Sequence, residues 1–176
     1  TAKFTDVNAL VQAAIFSRSV SNAKKTGVFR CGKDASLALD MMDAAKKAMV
    51  PPFEISVFPD PAGSFTTAAA MVACTEKTLK EKFNTNFQDK NIIVYGGKGI
   101  VGGISAIMCA QQGAKCTIVG YDGINNVQKK AEEYKSRYGV DIIPGDGSTD
   151  ELNTSFLPKA DIIFCAARAG TQVISL

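Results

Sequence analysis

The stretch "NIIVYGGKGIVGG", residues 91–103, decides how this chain is read. An apolar run opens into glycines and then resumes with helical spacing. Gly97-Lys98-Gly99-Ile100-Val101-Gly102 is a G-x-G-x-x-G pattern. Alone the pattern is weak. Its place, after a strand and at the start of a helix, gives it weight. In such a turn the first glycine permits the tight bend and the second lets a pyrophosphate approach the backbone. The third lets the helix pack on the strand. The start of the helix offers free N–H groups and a partial positive charge to phosphates. A dinucleotide site is therefore expected here, the plain alternative being a structural turn with incidental glycines.

The second part of such a site is a carboxylate at the end of the next strand, which takes the ribose hydroxyls of NAD. Asp122 lies twenty positions beyond Gly102, in "VGYDGINN", with no Arg beside it. An Arg there would favour the 2′-phosphate of NADP, which Asp122 would repel. NAD is favoured on this ground, with Lys98 or Lys129 as cations that could still admit NADP. Asp122 could instead be a helix cap or turn residue. "FCAARAG" (164–170) follows the last apolar run, where small residues such as Ala166 and Ala167 leave room for a flat ring. Arg168 either meets phosphate or substrate, or points to solvent.

Outward from this unit the chain alternates β and α. A strand over 92–96, a helix over 100–112, a strand over 115–121, a helix over 124–138 and strands over 140–143 and 160–167 are expected. This predicts a parallel, doubly wound sheet. Before it, Thr5 is expected to cap a helix with apolar face Val7, Leu10, Val11 and Ile15. A strand over 26–31 follows, then a helix from Asp34 or Ser36 to about Val50, stopped by Pro51 and Pro52. A strand over 53–58 leads into the loop "PDPAGSFTT" (59–67), where Ser64 or Thr66 can cap a helix running to about Phe83. The polar "NTNFQDKN" (84–91) reads as a domain edge. Two domains are expected, residues 1–86 and 87–176.

Composition narrows the chemistry. The 176 residues are 46% hydrophobic and 21% charged, with net charge +3. Mixed charges give little support to nucleic-acid binding. The pairs Lys46-Lys47 and Lys129-Lys130 read as solvated helix faces. No apolar run has the length of a membrane span, and the start does not resemble a signal peptide. Five scattered cysteines form no CxxC pair; Cys109, Cys116 and Cys165 fall in apolar runs and read as core residues. Free thiols without a signal suggest a cytoplasmic protein. Histidine is absent. A Ser-His triad, a Cys-His pair and a His-ligated metal are thereby excluded within these residues, and no metal is expected. A reaction needing little proton shuttling is favoured.

Taken together, "CGKDASLALDMMDAAKKAMVPPFEISVFPDPAGSFTTAAAMVA" (31–73) and "GGKGIVGGISAIMCAQQGAK" (96–115) resemble the NAD(P)-dependent methylene-tetrahydromethanopterin dehydrogenase family of methylotrophic bacteria. The resemblance runs from the first helix to "FCAARAG". Its most specific piece is Asp60 with Gly63-Ser64-Phe65-Thr66-Thr67, similar to the family's Asp followed by Gly-Ser-Asn-Thr-Thr. The "CGKD" turn (31–34) looks like the family's Gly-rich turn ending in Asp. Phe65 stands where the family has Asn and Lys33 where it has Gly. The glycine fingerprint departs too, from Gly-Thr-Gly-Pro-Val-Gly. Tyr121 stands where an NADP-specific member has Arg, which fits NAD or dual use. Family members extend beyond both ends, so the chain is expected to be a fragment.

The resemblance implies a two-domain α/β protein, with an N-terminal substrate-side domain and a Rossmann dinucleotide-binding domain. It implies hydride transfer from methylene-tetrahydromethanopterin to NAD(P), in a cleft between the domains, with no catalytic residue assigned. The substrate-binding candidates are Asp60, Gly63, Ser64, Phe65, Thr66 and Thr67, with Arg18 and Asp34 weaker. The cofactor-binding candidates are Gly97 to Gly102, Tyr121, Asp122, Ala166, Ala167 and Arg168. A homo-oligomer, trimer or hexamer, is implied, with a small-molecule pterin as partner and neither nucleic acid nor membrane. Two other readings stay open. One is a methylene-tetrahydrofolate or shikimate-type dehydrogenase, which would use a lysine-centred pair; no such pair stands out in residues 1–90, although Lys3, Lys24 and Lys25 are there. The other is a dinucleotide-binding module without turnover.

Overall fold

The computed structural model describes residues 2–174. The chain divides into two compact units, Thr1–Phe65 and Thr66–Leu176. The sequence drew the boundary at 86/87, after the long helix Ser64–Phe83 (α4); the compact units are drawn near the start of that helix.

In the first unit a 3-10 turn (Phe4–Asp6) precedes α1 (Val7–Phe16) and α2 (Val20–Ala23). Strand β1 (Gly27–Arg30), α3 (Ala35–Lys47) and β2 (Ser56–Pro59) follow. Strands β1 and β2 pair in parallel, Arg30 opposite Pro59. Val7, Val11 and Ile15 recur every four residues along α1 and pack with Met41, Ala45 and Ile55. Leu10, expected on that face, is exposed, because it stands about 100° around the helix from the centre of the stripe these three define. Thr5 is not the cap: it lies inside the 3-10 turn, where the Asp6 carboxylate accepts from the Lys3 N–H at 2.8 Å. Helix α3 stops at Lys47, before Pro51 and Pro52.

The second unit is a four-stranded parallel sheet of order β5-β4-β3-β6. Its elements are β3 (Asn91–Tyr95), α5 (Ile100–Gln111), β4 (Lys115–Gly120) and α6 (Ile124–Tyr138). Then come β5 (Ile143–Asp146), α7 (Asp150–Ser155), a 3-10 turn (Leu157–Lys159) and β6 (Ile162–Cys165). Period-two alternation sends Ile92 and Val94 of β3 to one face and Ile93 and Tyr95 to the other, and both faces are covered. Ile92, Val94, Cys116 and Ile118 are fully buried against Ala106, Cys109 and Val127 of the helices. Each such aliphatic side chain contributes about 1.5–3 kcal/mol on burial. This is the doubly wound Rossmann arrangement expected from the sequence.

The third strand of this sheet lies later than expected. Val140 and Ile142 are buried in the connection, and β5 starts at Ile143 and includes Pro144. A proline is tolerated there because β5 stands at the end of the strand order and, among the described residues, pairs only with β4. The last strand is shorter than expected, and Cys165 is not a core residue. Phe164 points inward while Cys165, next in alternation, is exposed. Cys109 and Cys116 are buried as expected.

Candidate functional site

Strand β3 lies between β4 and β6, where the order of connections reverses. Open α/β sheets bind ligands outside the carboxyl ends of strands at such a point. A cavity of about 560 Å³ opens there within the second unit. Its wall includes Lys98 and Gly99 after β3, Gly120 and Tyr121 after β4, and Ala166, Ala167 and Arg168 after β6.

The turn into α5 is built around glycines. The tight bend belongs to Gly96, one position before the fingerprint, with φ 77°. A side chain there would also meet the backbone of Ala166 and Ala167 at 2.6 Å. The sequence pattern missed Gly96, although a glycine at 96 as well as 97 is a visible signal. The Gly99 N–H donates to the Gly96 carbonyl at 2.9 Å and the Gly103 N–H to the Gly99 carbonyl at 2.9 Å. Gly99 is the N-cap of α5 and is exposed, so the free N–H groups of the first turn open towards the cavity rim. Gly102 is buried, and a methyl group on it would stand 2.6 Å from the Gly96 carbonyl oxygen. Gly97 packs on Ile118 of β4. Its carbonyl accepts from the buried Tyr134 hydroxyl of α6 at 3.2 Å. Burial raises the pKa of that hydroxyl above its ordinary value.

Lys98, between the two glycines, sends its ammonium across to the Asp122 carboxylate after β4. The side chains are 29% and 33% exposed, so the pair is neither buried nor freely solvated. The Asn126 amide donates to the Asp122 carbonyl at 3.0 Å and to its carboxylate at 3.3 Å. Asp122 therefore does act as a local anchor at the start of α6. Its pKa lies below the ordinary carboxylate value, first through the hydrogen bond from Lys98. Ile100 and Val101 open α5 behind the cavity wall, half-buried. Tyr121 is 85% exposed at the rim, and Arg168 is exposed while lining the cavity.

Other parts of the wall were not singled out from sequence. Gly147 and Asn153 line it beyond β5, and Gln172 beyond β6. The glycine pair 145 and 147 around Asp146 was the available signal. Gly147 backs onto Val119 and Asn153, so the third strand approaches the cavity only through a residue without a side chain.

Apart from Arg18, the substrate-side candidates belong to the loops at the carboxyl ends of β1 and β2 and to the first turn of α4. The pairing of these strands brings the loops to one edge: the Asp60 N–H donates to the Arg30 carbonyl at 3.0 Å. Asp60 is buried, and its carboxylate accepts from the Phe65 N–H at 2.9 Å, in the first turn of α4. That acceptor at the start of α4 comes from Asp60, where the sequence had pointed to Ser64 or Thr66. Ser64, itself buried, is the first residue of the helix. Phe65, Thr66 and Thr67 continue that helix, the last two beyond the unit boundary. Gly63 has φ 67° and Ala62 φ 53°, so a non-glycine residue occupies the left-handed region inside this turn. Such strain concentrates at functional sites. Asp34 caps α3 by accepting from the Leu37 N–H at 2.9 Å and is exposed, the bland role foreseen for it. Arg18 lies exposed between α1 and α2 and belongs to neither loop. Arg30, not singled out from sequence, has a buried Nε without a partner among the described residues.

Among the described residues no helix is long and apolar enough to cross a membrane. Residues 2–62 match the family described as "Methylene-tetrahydromethanopterin dehydrogenase, N-terminal". Over 171 residues, 97% of the chain, the sequence is 46% identical to the NAD(P)-dependent methylenetetrahydromethanopterin dehydrogenase of Methylorubrum extorquens. It is 28% identical over 169 residues, 96% of the chain, to the bifunctional protein MdtA of the same organism. The chain spans 58% and 57% of the length of these two relatives. The fold is similar to that of shikimate 5-dehydrogenase from Listeria monocytogenes, solved with shikimate and NAD. The TM-score is 0.50 at 15% identity, covering 96% of this chain and 56% of that one. The family resemblance read from the sequence is borne out by these matches.

Proposed function

We propose that this chain, similar along nearly its whole length to an NAD(P)-dependent methylenetetrahydromethanopterin dehydrogenase, carries the dinucleotide site and part of the substrate side of an oxidoreductase of one-carbon metabolism. Its reaction is hydride transfer from methylene-tetrahydromethanopterin to NAD(P), giving methenyl-tetrahydromethanopterin. The observation that carries this reading is the cavity bordered by Lys98 and Gly99 at the amino end of α5, walled by the ends of β4 and β6.

The residues present fit a dinucleotide. Gly96 and Gly99 line the cavity with backbone alone, and the first N–H groups of α5 suit a pyrophosphate. Asp122 can accept from ribose hydroxyls, and Ala166 and Ala167 leave the β6 side of the cavity shallow enough for a flat ring. When bound, the nicotinamide supplies the carbon that accepts the hydride. The protein's part is to hold two rings in register and to exclude water, which needs no residue to take a proton from the substrate. The pterin side is assigned to Asp60, Gly63, Ser64, Phe65, Thr66 and Thr67, with Asp34 holding the neighbouring loop through its cap. By the same resemblance the protein works as a cytoplasmic homo-oligomer, a trimer or hexamer.

The test uses the full-length gene product with methylene-tetrahydromethanopterin and either NAD or NADP, following reduced nicotinamide by absorbance. Turnover with NAD at least as fast as with NADP is expected. Turnover only with methylene-tetrahydrofolate would replace the carrier. Tight dinucleotide binding without turnover on either carrier would leave a non-catalytic module.

A further inference from the structure

The Lys98–Asp122 pair has a chemical logic beyond anchoring a turn. Lys98 belongs to the loop that would cradle the pyrophosphate, and Asp122 to the position that would meet the adenosine ribose. The stem of Lys98 runs over Gly120: a Cβ there would stand 3.0 Å from Lys98 Cδ and 3.5 Å from Asp122 Oδ1. The cation thus lies over Gly120 against Asp122, on a side chain that lines the cavity. Asn126 holds Asp122 independently, so the carboxylate keeps a partner if Lys98 leaves.

Resting on the dinucleotide reading of this cavity, we propose that Lys98 is the specificity residue that admits the 2′-phosphate of NADP. With NAD, Lys98 stays on Asp122 and the carboxylate accepts from the ribose diol. A 2′-phosphate brings nearly two negative charges to the same place, and beside an uncompensated carboxylate it would be repelled. Here the compensating ammonium is already present, on a four-carbon stem that reorients without moving the backbone. Lys98 turns one of its three N–H donors to the phosphate while still facing Asp122, so that one ammonium stands between the two anions, and Asn126 retains Asp122. The site then takes both dinucleotides, with the choice set by one mobile cation instead of a fixed arginine after β4.

Dissociation constants read this directly. The full-length gene product and its Lys98→Met and Lys98→Arg variants are titrated calorimetrically with NAD, NADP, 5′-AMP and 2′,5′-ADP, with circular dichroism checking the fold of each. Lys98→Met is expected to raise the ratio of the NADP to the NAD dissociation constant, and of the 2′,5′-ADP to the 5′-AMP constant, about tenfold or more, the scale of a charge-assisted hydrogen bond. Lys98→Arg should restore most of the NADP affinity. Equal weakening of all four ligands would reduce Lys98 to a part of the cradle and overturn the proposal. So would unchanged or tighter NADP binding in Lys98→Met, which would make Lys98 a lock on Asp122. If the unaltered full-length protein binds none of the four, the dinucleotide reading itself fails, and this inference with it.

Discussion

A methyl group placed on Gly102 tests the packing of the glycine turn. Gly102→Ala puts a Cβ 2.6 Å from the Gly96 carbonyl oxygen, 3.0 Å from its carbon and 3.1 Å from Gly97 Cα. All three neighbours are backbone, so no side chain can swing away. Overpacking of this kind costs about 1–3 kcal/mol, and three backbone contacts argue for the upper half. Alanine is the better helix former, which returns about 1 kcal/mol. The net loss is about 1–2 kcal/mol, a fall in Tm of about 2–8 °C. Gly99→Ala is the control. Gly99 has φ −73°, an ordinary conformation for alanine, and one neighbour at 3.1 Å. Its methyl group lies where a pyrophosphate would approach. Thermal unfolding should therefore separate the pair: Gly102→Ala loses stability, while Gly99→Ala stays within about 0.5 kcal/mol of the parent yet loses dinucleotide affinity in titration. An unchanged Tm for Gly102→Ala would refute the packing argument. Undiminished affinity for Gly99→Ala would refute the assignment of the phosphate to this turn.

Tyr134→Phe removes the donor to the Gly97 carbonyl and should cost about 0.5–1.5 kcal/mol in urea unfolding; no loss would mean that another donor serves that carbonyl. Asp60→Ala removes the acceptor for the Phe65 N–H and should cost about 0.5–2 kcal/mol, with Asp60→Asn recovering most of it, as a capping role requires. Burial pushes the thiols of Cys109 and Cys116 up to about 12. The raised folded value means their contribution to stability is fully present below the unfolded thiol pKa of about 8.5 and is lost as pH rises from there towards 12. A maleimide at neutral pH should accordingly label Cys31, Cys74 and Cys165 in the folded chain, and Cys109 and Cys116 only after denaturation; rapid native labelling of either would contradict their packing.

The second unit was legible because its elements are long and periodic: β3, α5 and α6 fall within a residue of their expected limits. What escaped was decided by pairing rather than by local pattern. Strand β5 includes Pro144 because only one of its edges is paired, which no local pattern reveals. Cys165 sits in an apolar run yet faces out, because alternation within β6 gives Phe164 the inward place. Within the cavity, the glycine fingerprint and residues 166–168 could be seen in advance. Gly147 had only the glycine pair 145 and 147 as a signal, and Asn153 and Gln172 had none, since they reach the cavity from segments whose approach depends on the order of strands. Asp122 was recognised as a carboxylate at the right place, but its partner Lys98 lies 24 positions earlier and only the fold joins them.

Strand β6 has a bearing on how the chain holds itself closed. Its pairing with β3 joins Ile92 to Ile162, across the intervening helices and two strands, and the Asp161 carboxylate takes the Asn91 N–H at 2.7 Å. Closing so long a loop carries an entropic cost that local contacts do not repay until the strand docks. Yet the cavity wall at Ala166 and Ala167 exists only after that docking. A molecule lying against this wall and against the turn after β3 would act as a clasp between the first and last strands of the sheet. Its binding energy would then be spent on the segment whose attachment spans the greatest stretch of chain, and amide exchange in β6 would slow more than in β4 when the clasp is fastened.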